Sequence, residues 1–195
     1  MPRHPDHPVH PLFLDRWSPR AFDGSDMPEE DLLTMFEAAR WAPSAFNSQP
    51  WRFLYARRSD EHWERFLDLL IPWNRSWAQS ASALVYIISD TLPFTDKATG
   101  EPRPSTTHSF DAGAAWACLA LQASLMGYLA HGMSGVEFER AQAELAVPER
   151  FRIEAAAVIG RLGDPAILPE KLRAREVPSG RKAVSEWAFR GGWPD

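Results

Sequence analysis

Ala42-Pro43-Ser44-Ala45-Phe46-Asn47-Ser48-Gln49-Pro50-Trp51 is the stretch from which the rest of the chain is most easily read. Pro43 biases the residue before it away from helical angles, so the stretch marks a helix stop. Behind it, residues 26–41 carry Leu32, Leu33, Phe36 and Ala39 at helical spacing, giving one apolar face. Asp26 and Glu29 form a capping-box pattern, and Pro28 falls in the first turn, where its missing N–H costs little. Ahead of it, residues 51–57 (WRFLYAR) suit a strand. The stretch is therefore a polar connection between a helix and a strand. By composition alone it is an ordinary turn rich in Pro, Ser and Asn.

The same periodicities predict a helix over 60–70, with Trp63, Phe66, Leu67 and Leu70 on one side, and a buried strand over 83–89 (ALVYIIS). Residues 90–107, rich in Pro, Thr and charge, read as a long mobile loop. The longest helix falls at 109–126, with Ser109 as N-cap and Gly127 as stop. Its apolar character on nearly all sides predicts burial against several elements. A short strand near Tyr128–Ala130, a helix at 137–145 and a buried strand at Ala155–Gly160 follow. From Gly163 the chain has little periodicity, yet it carries Trp187, Phe189 and Trp193, which need cover. A partner subunit is the simplest source of it.

The chain has 195 residues, 45% of them hydrophobic, which suits one domain, expected over 14–195 behind a flexible arm at 1–13. A net charge of −5 without a basic block argues against nucleic acid as a partner. No apolar run is long enough for a bilayer, and the first residues lack a signal-peptide core, so no membrane and a cytoplasmic location are expected. A lone cysteine, Cys118, fits a reducing compartment and reads as a small buried side chain rather than a nucleophile. His4, His7 and His10 are spaced by three, but the interleaved prolines prevent a helix that would gather them, and no metal site is expected.

Three clusters carry candidate chemistry. In Arg16-Trp17-Ser18-Pro19-Arg20, two guanidiniums and a hydroxyl alternate along the chain, so an extended backbone would point all three to one side as a phosphate clamp. Two arginines alone more often face solvent. Asn47 and Gln49, in the opening stretch, each offer a donor and an acceptor for the edge of a heterocycle. Gly132-Met133-Ser134-Gly135 would let a flat ring approach the main chain, though a plain tight turn reads equally well.

Taken in order, R-W-S-P-R-A-F, L-L-x-M-F-E-A-A-R-W-A-P-S-A-F-N-S-Q-P-W-R-F, Asn74 with Trp77, D-A-G-A-A, G-M-S-G, V-I-G and G-R-K resemble the FMN-dependent nitroreductase family from Arg16 to about Lys182. The resemblance implies an α+β fold, with a mostly antiparallel sheet flanked by helices, in an intertwined homodimer with FMN at the interface. Residues 163–195 would extend onto the partner. Arg16, Ser18 and Arg20, with Arg181, would hold the FMN phosphate and nearby polar atoms. Pro43, Ser44 and Asn47 would come from the other subunit to line the isoalloxazine. Asn74 would bond the ring or ribityl chain, and the N–H of Ser134 or Gly135 would face flavin N5. Trp17 and Ala45 belong to the same binding segments.

The activity so implied passes a hydride from NAD(P)H through FMN to a small electron-poor acceptor, with ping-pong kinetics and no catalytic side chain named. The absence of G-x-G-x-x-G leaves the dinucleotide to use the open space over the flavin. Reduction of a small aldehyde such as malonic semialdehyde and a non-catalytic flavin-binding module are the rival readings. The sequence departs from some members of the family where tryptophan replaces a lysine near Trp77, where serine replaces glutamate at Ser134, and where a lysine near Ser179 is missing.

Overall fold

The structure, a computed structural model, describes residues 3–194; residues 1, 2 and 195, the extremities of the expected arm and tail, lie outside the described residues. Four strands form one antiparallel sheet: β1 (Trp51–Arg57), β2 (Ala83–Asp90), β5 (Leu129–Met133) and β6 (Phe151–Gly160), in the order β1-β2-β6-β5. Helices α2 (Glu29–Arg40) and α5 (His108–Leu125) cover one face. Helices α3 (Trp63–Asp68) and α4 (Pro72–Ala78) cover the other. Three shorter helices are α1 (Pro11–Asp15), α6 (Phe138–Glu144) and α7 (Glu170–Arg173).

Every residue of β2 is buried, which is why it reads as an unbroken apolar run. Successive side chains point to opposite faces. Leu84, Tyr86 and Ile88 join the core under α3 and α4, while Ala83, Val85 and Ile87 join the core under α2 and α5. The Tyr86 hydroxyl donates to the Phe66 carbonyl at 2.9 Å, so the one polar atom of that side chain is satisfied in the interior.

Several expectations are revised. The helix expected over 26–41 is α2, which begins at Glu29 with Pro28 at its N-cap, and Asp26 makes no cap. Met27 precedes that proline, is thereby kept extended, and is buried instead. Ser109 is inside α5, not its cap, and bonds Glu154 at 2.9 Å. The helix α4 was not expected. It is short, and Pro72 at its start reads as a breaker, although a first-turn proline is compatible with a helix.

Strand β6 starts at Phe151 rather than 155. Ile87 pairs with Ala155 and Ile88 with Ile153, leaving Glu154 as a bulge. The bulge breaks the alternation that marks a strand. The 90–107 segment contains a hairpin, β3 (Phe94–Thr95) with β4 (Pro102–Arg103), whose turn is tied by Asp96 Oδ1 accepting from the N–H of Ala98 and Thr99. Its root is fastened by Arg150, which grips the buried Asp90 carboxylate with two nitrogens at 2.7 and 2.5 Å. Burial raises the Asp90 pKa, but the Arg150 bonds, the Leu92 N–H and the charges of Arg150 and Arg52 together outweigh it, and the net shift is downward.

Helix α5 is buried on one side only. Ala112, Ala115, Leu119 and Ala123 face the core, whereas Phe110, Gly113, Ala117 and Leu125 are exposed. Gly127 ends the helix with φ of +77°, a conformation that glycine adopts without a Cβ penalty.

Leu119 is fully buried between α5 and the sheet. Leu119→Ala is expected to lower unfolding free energy by about 2–5 kcal/mol, read from the denaturation midpoint in urea. A loss below about 1 kcal/mol would mean that this face is loosely packed.

Candidate functional site

Residues 19–23 run alongside the end of β6. The Gly163 N–H donates to the Ala21 carbonyl at 2.9 Å, the Asp23 N–H to the Arg161 carbonyl at 3.1 Å, and Phe22 bridges Leu162. This pins the Arg16–Arg20 segment beside the β5 edge. Two backbone amides at its end, those of Arg20 and Ala21, donate to Glu176 Oε1 at 2.6 and 2.8 Å. The Arg20 guanidinium lies 3.9 Å from Glu176 Oε2 and 5.8 Å from the centre of the Trp77 ring.

Trp77 in turn packs against His131 with the rings tilted by 40° and 4.6 Å between ring centres. His131 Nδ1 is 2.7 Å from the Pro19 carbonyl. A carbonyl only accepts, so Nδ1 carries the proton. Burial lowers the His131 pKa. The Pro19 bond works against that shift and nearby Arg20 works with it, leaving the neutral ring favoured.

Asn74 is buried and donates its amide to the Gly135 carbonyl at 3.2 Å. The Ile71 N–H donates to the same carbonyl at 3.2 Å. A Cβ at position 135 would fall 2.7 Å from Ile71 Cδ1 and collide with the Asn74 amide, so only glycine lets the two segments meet. Among the described residues, the N–H groups of Ser134 and Gly135 have no backbone acceptor and are free to donate outward.

Arg181 bonds the Ser179 hydroxyl and the Gly180 carbonyl, both at 2.9 Å. It lies close enough to Arg16 and Arg3 to matter electrostatically. Burial lowers the pKa of both Arg16 and Arg3, and the Arg181 charge lowers them further. Among the described residues none of these three guanidiniums is within ion-pair distance of a carboxylate. Three cations thus lie near one another without a carboxylate partner, Arg3 and Arg16 partly buried and Arg181 exposed.

The 43–49 turn is elsewhere. It leads into β1, the edge strand opposite β5. Three strand spacings separate those edges, about 14 Å. Phe46, Asn47 and Gln49 all have positive φ, of 53°, 54° and 47°. Such backbone is costly for a phenylalanine and survives only where its surroundings enforce it. Here the Gln49 N–H donates to the Ser44 hydroxyl at 3.0 Å, and the Ala45 N–H donates to the buried Asp111 carboxylate at 3.2 Å. Pro43, Phe46 and Asn47 are exposed, and Phe46 meets Phe94 of the hairpin edge-on.

The structure thus gathers Arg16, Ser18, Arg20, Asn74, Ser134 and Gly135 toward one edge, with Arg181 beside Arg16 and Trp17 half-buried in the same segment. It leaves Pro43, Ser44, Ala45 and Asn47 at the other edge. The sequence reading passed over His131, Glu176 and Arg3. A lone histidine in a strand, a glutamate in an aperiodic tail and an arginine in a proline-rich arm carry no local pattern.

The sequence model of the Nitroreductase family matches residues 14–161. The chain belongs to the nitroreductase family. It is 34% identical over 151 residues to a Mycolicibacterium smegmatis protein called an uncharacterized 15.4 kDa protein in ask 5'region, covering 73% of this chain and 97% of that one. It is 36% identical over 90 residues to a Streptomyces coelicolor putative NADH dehydrogenase/NAD(P)H nitroreductase, covering 46% of this chain and 44% of the relative. A crystal structure described as an oxidoreductase containing FMN superposes with a TM-score of 0.95 at 53% identity, covering 98% of this chain and 96% of the other. The α+β nitroreductase-like fold expected from the sequence is the one observed.

Because the His131 pKa falls below its ordinary 6.5 in the folded state, its neutral form contributes fully above that pH. As pH drops below 6.5 the unfolded chain takes up the proton first and stability declines. Melting temperatures between about pH 5 and pH 8 should show this decline in the native chain and a flatter profile in His131→Gln. Identical profiles for the two proteins would refute the assignment.

Proposed function

We propose that this nitroreductase-family chain is an FMN-dependent oxidoreductase that passes a hydride equivalent from NAD(P)H to a small electron-poor acceptor such as a nitro compound or quinone. The carrying observation is that Arg16 and Arg181, neither with a carboxylate partner among the described residues, stand on segments that Arg3 joins through the Arg16 and Ser179 carbonyls, on the sheet edge where Asn74 and Gly135 also sit. The donor set fits the group. Guanidiniums suit a phosphate dianion, and the backbone N–H groups of Ser134 and Gly135, which have no backbone acceptor among the described residues, suit the edge of a flat heterocycle. The names of the relatives, one containing FMN and one a putative NAD(P)H nitroreductase, support the same reading.

When bound, FMN supplies the redox chemistry, and the protein supplies position and electrostatics. Arg16, Ser18, Arg20 and Arg181 anchor the phosphate end, and Asn74 orients the ring end. The Ser134 and Gly135 amides favour negative charge on the reduced ring. With no separate dinucleotide fold, NAD(P)H and acceptor occupy one space in turn, which gives ping-pong kinetics.

The working unit in this proposal is a homodimer, with the ring lined by Pro43, Ser44, Ala45 and Asn47 of the second copy. Four features support it. The two half-sites lie at opposite edges of one sheet. The outward stripe of α5 is apolar and uncovered, and the aromatic Phe46 stands exposed. Residues 168–184 pack on their own subunit through Leu168, Leu172, Glu176 and Val184, but Trp187 and Trp193 beyond them are exposed, as expected if the end of the tail reaches a partner. Among the described residues no helix is long and apolar enough to cross a membrane, and with the single Cys118 this is compatible with the proposed cytoplasmic setting.

Purified protein with added FMN should show a flavin absorbance spectrum that bleaches anaerobically with NADH or NADPH and recovers on adding a quinone. Flavin that stays oxidised would remove the reductase reading. The crossed site has its own test. Arg16→Ala should weaken FMN binding about 10–100-fold, the equivalent of a charge-assisted hydrogen bond. Asn47→Ala should impair the other half of the site. Mixed dimers of the two variants regain one intact site in two, so activity should return on co-expression. No recovery would sink the shared site.

A further inference from the structure

The N-terminal arm does not lie free of the site. Arg3 Nη1 donates to the carbonyls of Leu14 and Arg16, each at 2.7 Å, and Arg3 Nε donates to the Ser179 carbonyl at 3.0 Å. One guanidinium therefore spans two segments more than 160 residues apart in sequence. Those segments carry Arg16 and Arg181. The Ser179 whose carbonyl Arg3 holds is also the residue whose hydroxyl holds Arg181 at 2.9 Å. A second arm contact, the Val184 N–H to Asp6 Oδ2 at 2.8 Å, fastens the same C-terminal segment. The arm and that segment enclose a cavity of about 740 Å³, lined in part by Arg3, Phe13, Pro178 and Arg181.

Bringing a third cation beside two others is unfavourable by itself, and Asp15 offsets it only in part at Arg3. The fork geometry of the guanidinium accounts for the choice of residue, because it addresses carbonyls on two segments at once. We propose that Arg3 is a positioning residue of the phosphate clamp, tying the Arg16 backbone to the Ser179–Arg181 segment so that both guanidiniums face one anion. The ligand chemistry it serves is a phosphate monoester on the flavin, and the inference rests on the flavin reading above.

Affinities for FMN and for riboflavin, measured by fluorescence quenching on the full chain, test it. Arg3→Ala should weaken FMN about tenfold or more while riboflavin affinity is unchanged, since only the phosphate is served. Arg3→Lys should recover part of the loss, because an ammonium still donates to the Leu14 and Arg16 carbonyls. In a double-mutant cycle, Arg3→Ala on top of Arg181→Ala should cost little more than Arg181→Ala alone, as expected for a residue acting through Arg181. Asp6→Ala, which cuts the other tie, should give a smaller loss of the same phosphate-specific kind. Native FMN affinity in Arg3→Ala, equal losses for both ligands, or additive effects in the cycle would each overturn the proposal while leaving the flavin reading intact. Failure of the native chain to bind FMN would instead sink the flavin reading, and this inference with it.

Discussion

Burial of the central sheet on both faces is the constraint from which the rest of the molecule follows. Strand β2 has no exposed residue, and α2 with α5 on one side and α3 with α4 on the other seal its faces. Polar groups with work to do are therefore displaced to the sheet's edges and ends. The edge beside β5 receives the arginine segment, Asn74 and the Gly135 turn. The edge at β1 receives the strained 43–49 turn. The two sets of polar groups therefore stand on opposite edges of one open sheet.

The arginine edge has its own internal logic. Glu176, with a fully buried side chain, gathers the Arg20 and Ala21 amides and sits near the Arg20 guanidinium. Trp77 and His131 pack against each other beside it, and His131 holds the Pro19 carbonyl. These contacts fix the backbone between Ser18 and Ala21. Trp77 lies where some relatives of the family carry a lysine nearby, and here it supplies an aromatic face to Arg20 rather than a charge. Neither Arg16 nor Arg181 has a carboxylate partner among the described residues, and Arg181 instead bonds the Ser179 hydroxyl and the Gly180 carbonyl.

The opposite edge is held by a different device. Asp111 at the start of α5 takes the Ala45 amide and the Thr107 hydroxyl, coupling the turn to the root of the 90–107 segment. The β3–β4 hairpin then places Phe94 against Phe46, with Arg103 over the Phe94 ring. The segment read from its composition as a loop is thus packed onto the turn. Two-residue strands rich in proline carry no alternation to reveal them.

Local chemistry was enough for much of the fold. Strand β1 matches residue for residue, because a run of aromatic and apolar residues directly behind Pro50 marks it. The α2 and α5 helices follow from apolar spacing, with Pro43 and Gly127 as stops. What the sequence by itself determined was the longer helices and strands, the family, and the polar residue types offered for a site. Only the tertiary structure decided which of them meet. The Glu154 bulge that hid the first half of β6, the separation of the two half-sites, and the tie from Arg3 across the chain all depend on strand order and on distant backbone carbonyls. Periodicity reports contacts a few residues away, and these contacts are set by how the sheet assembles.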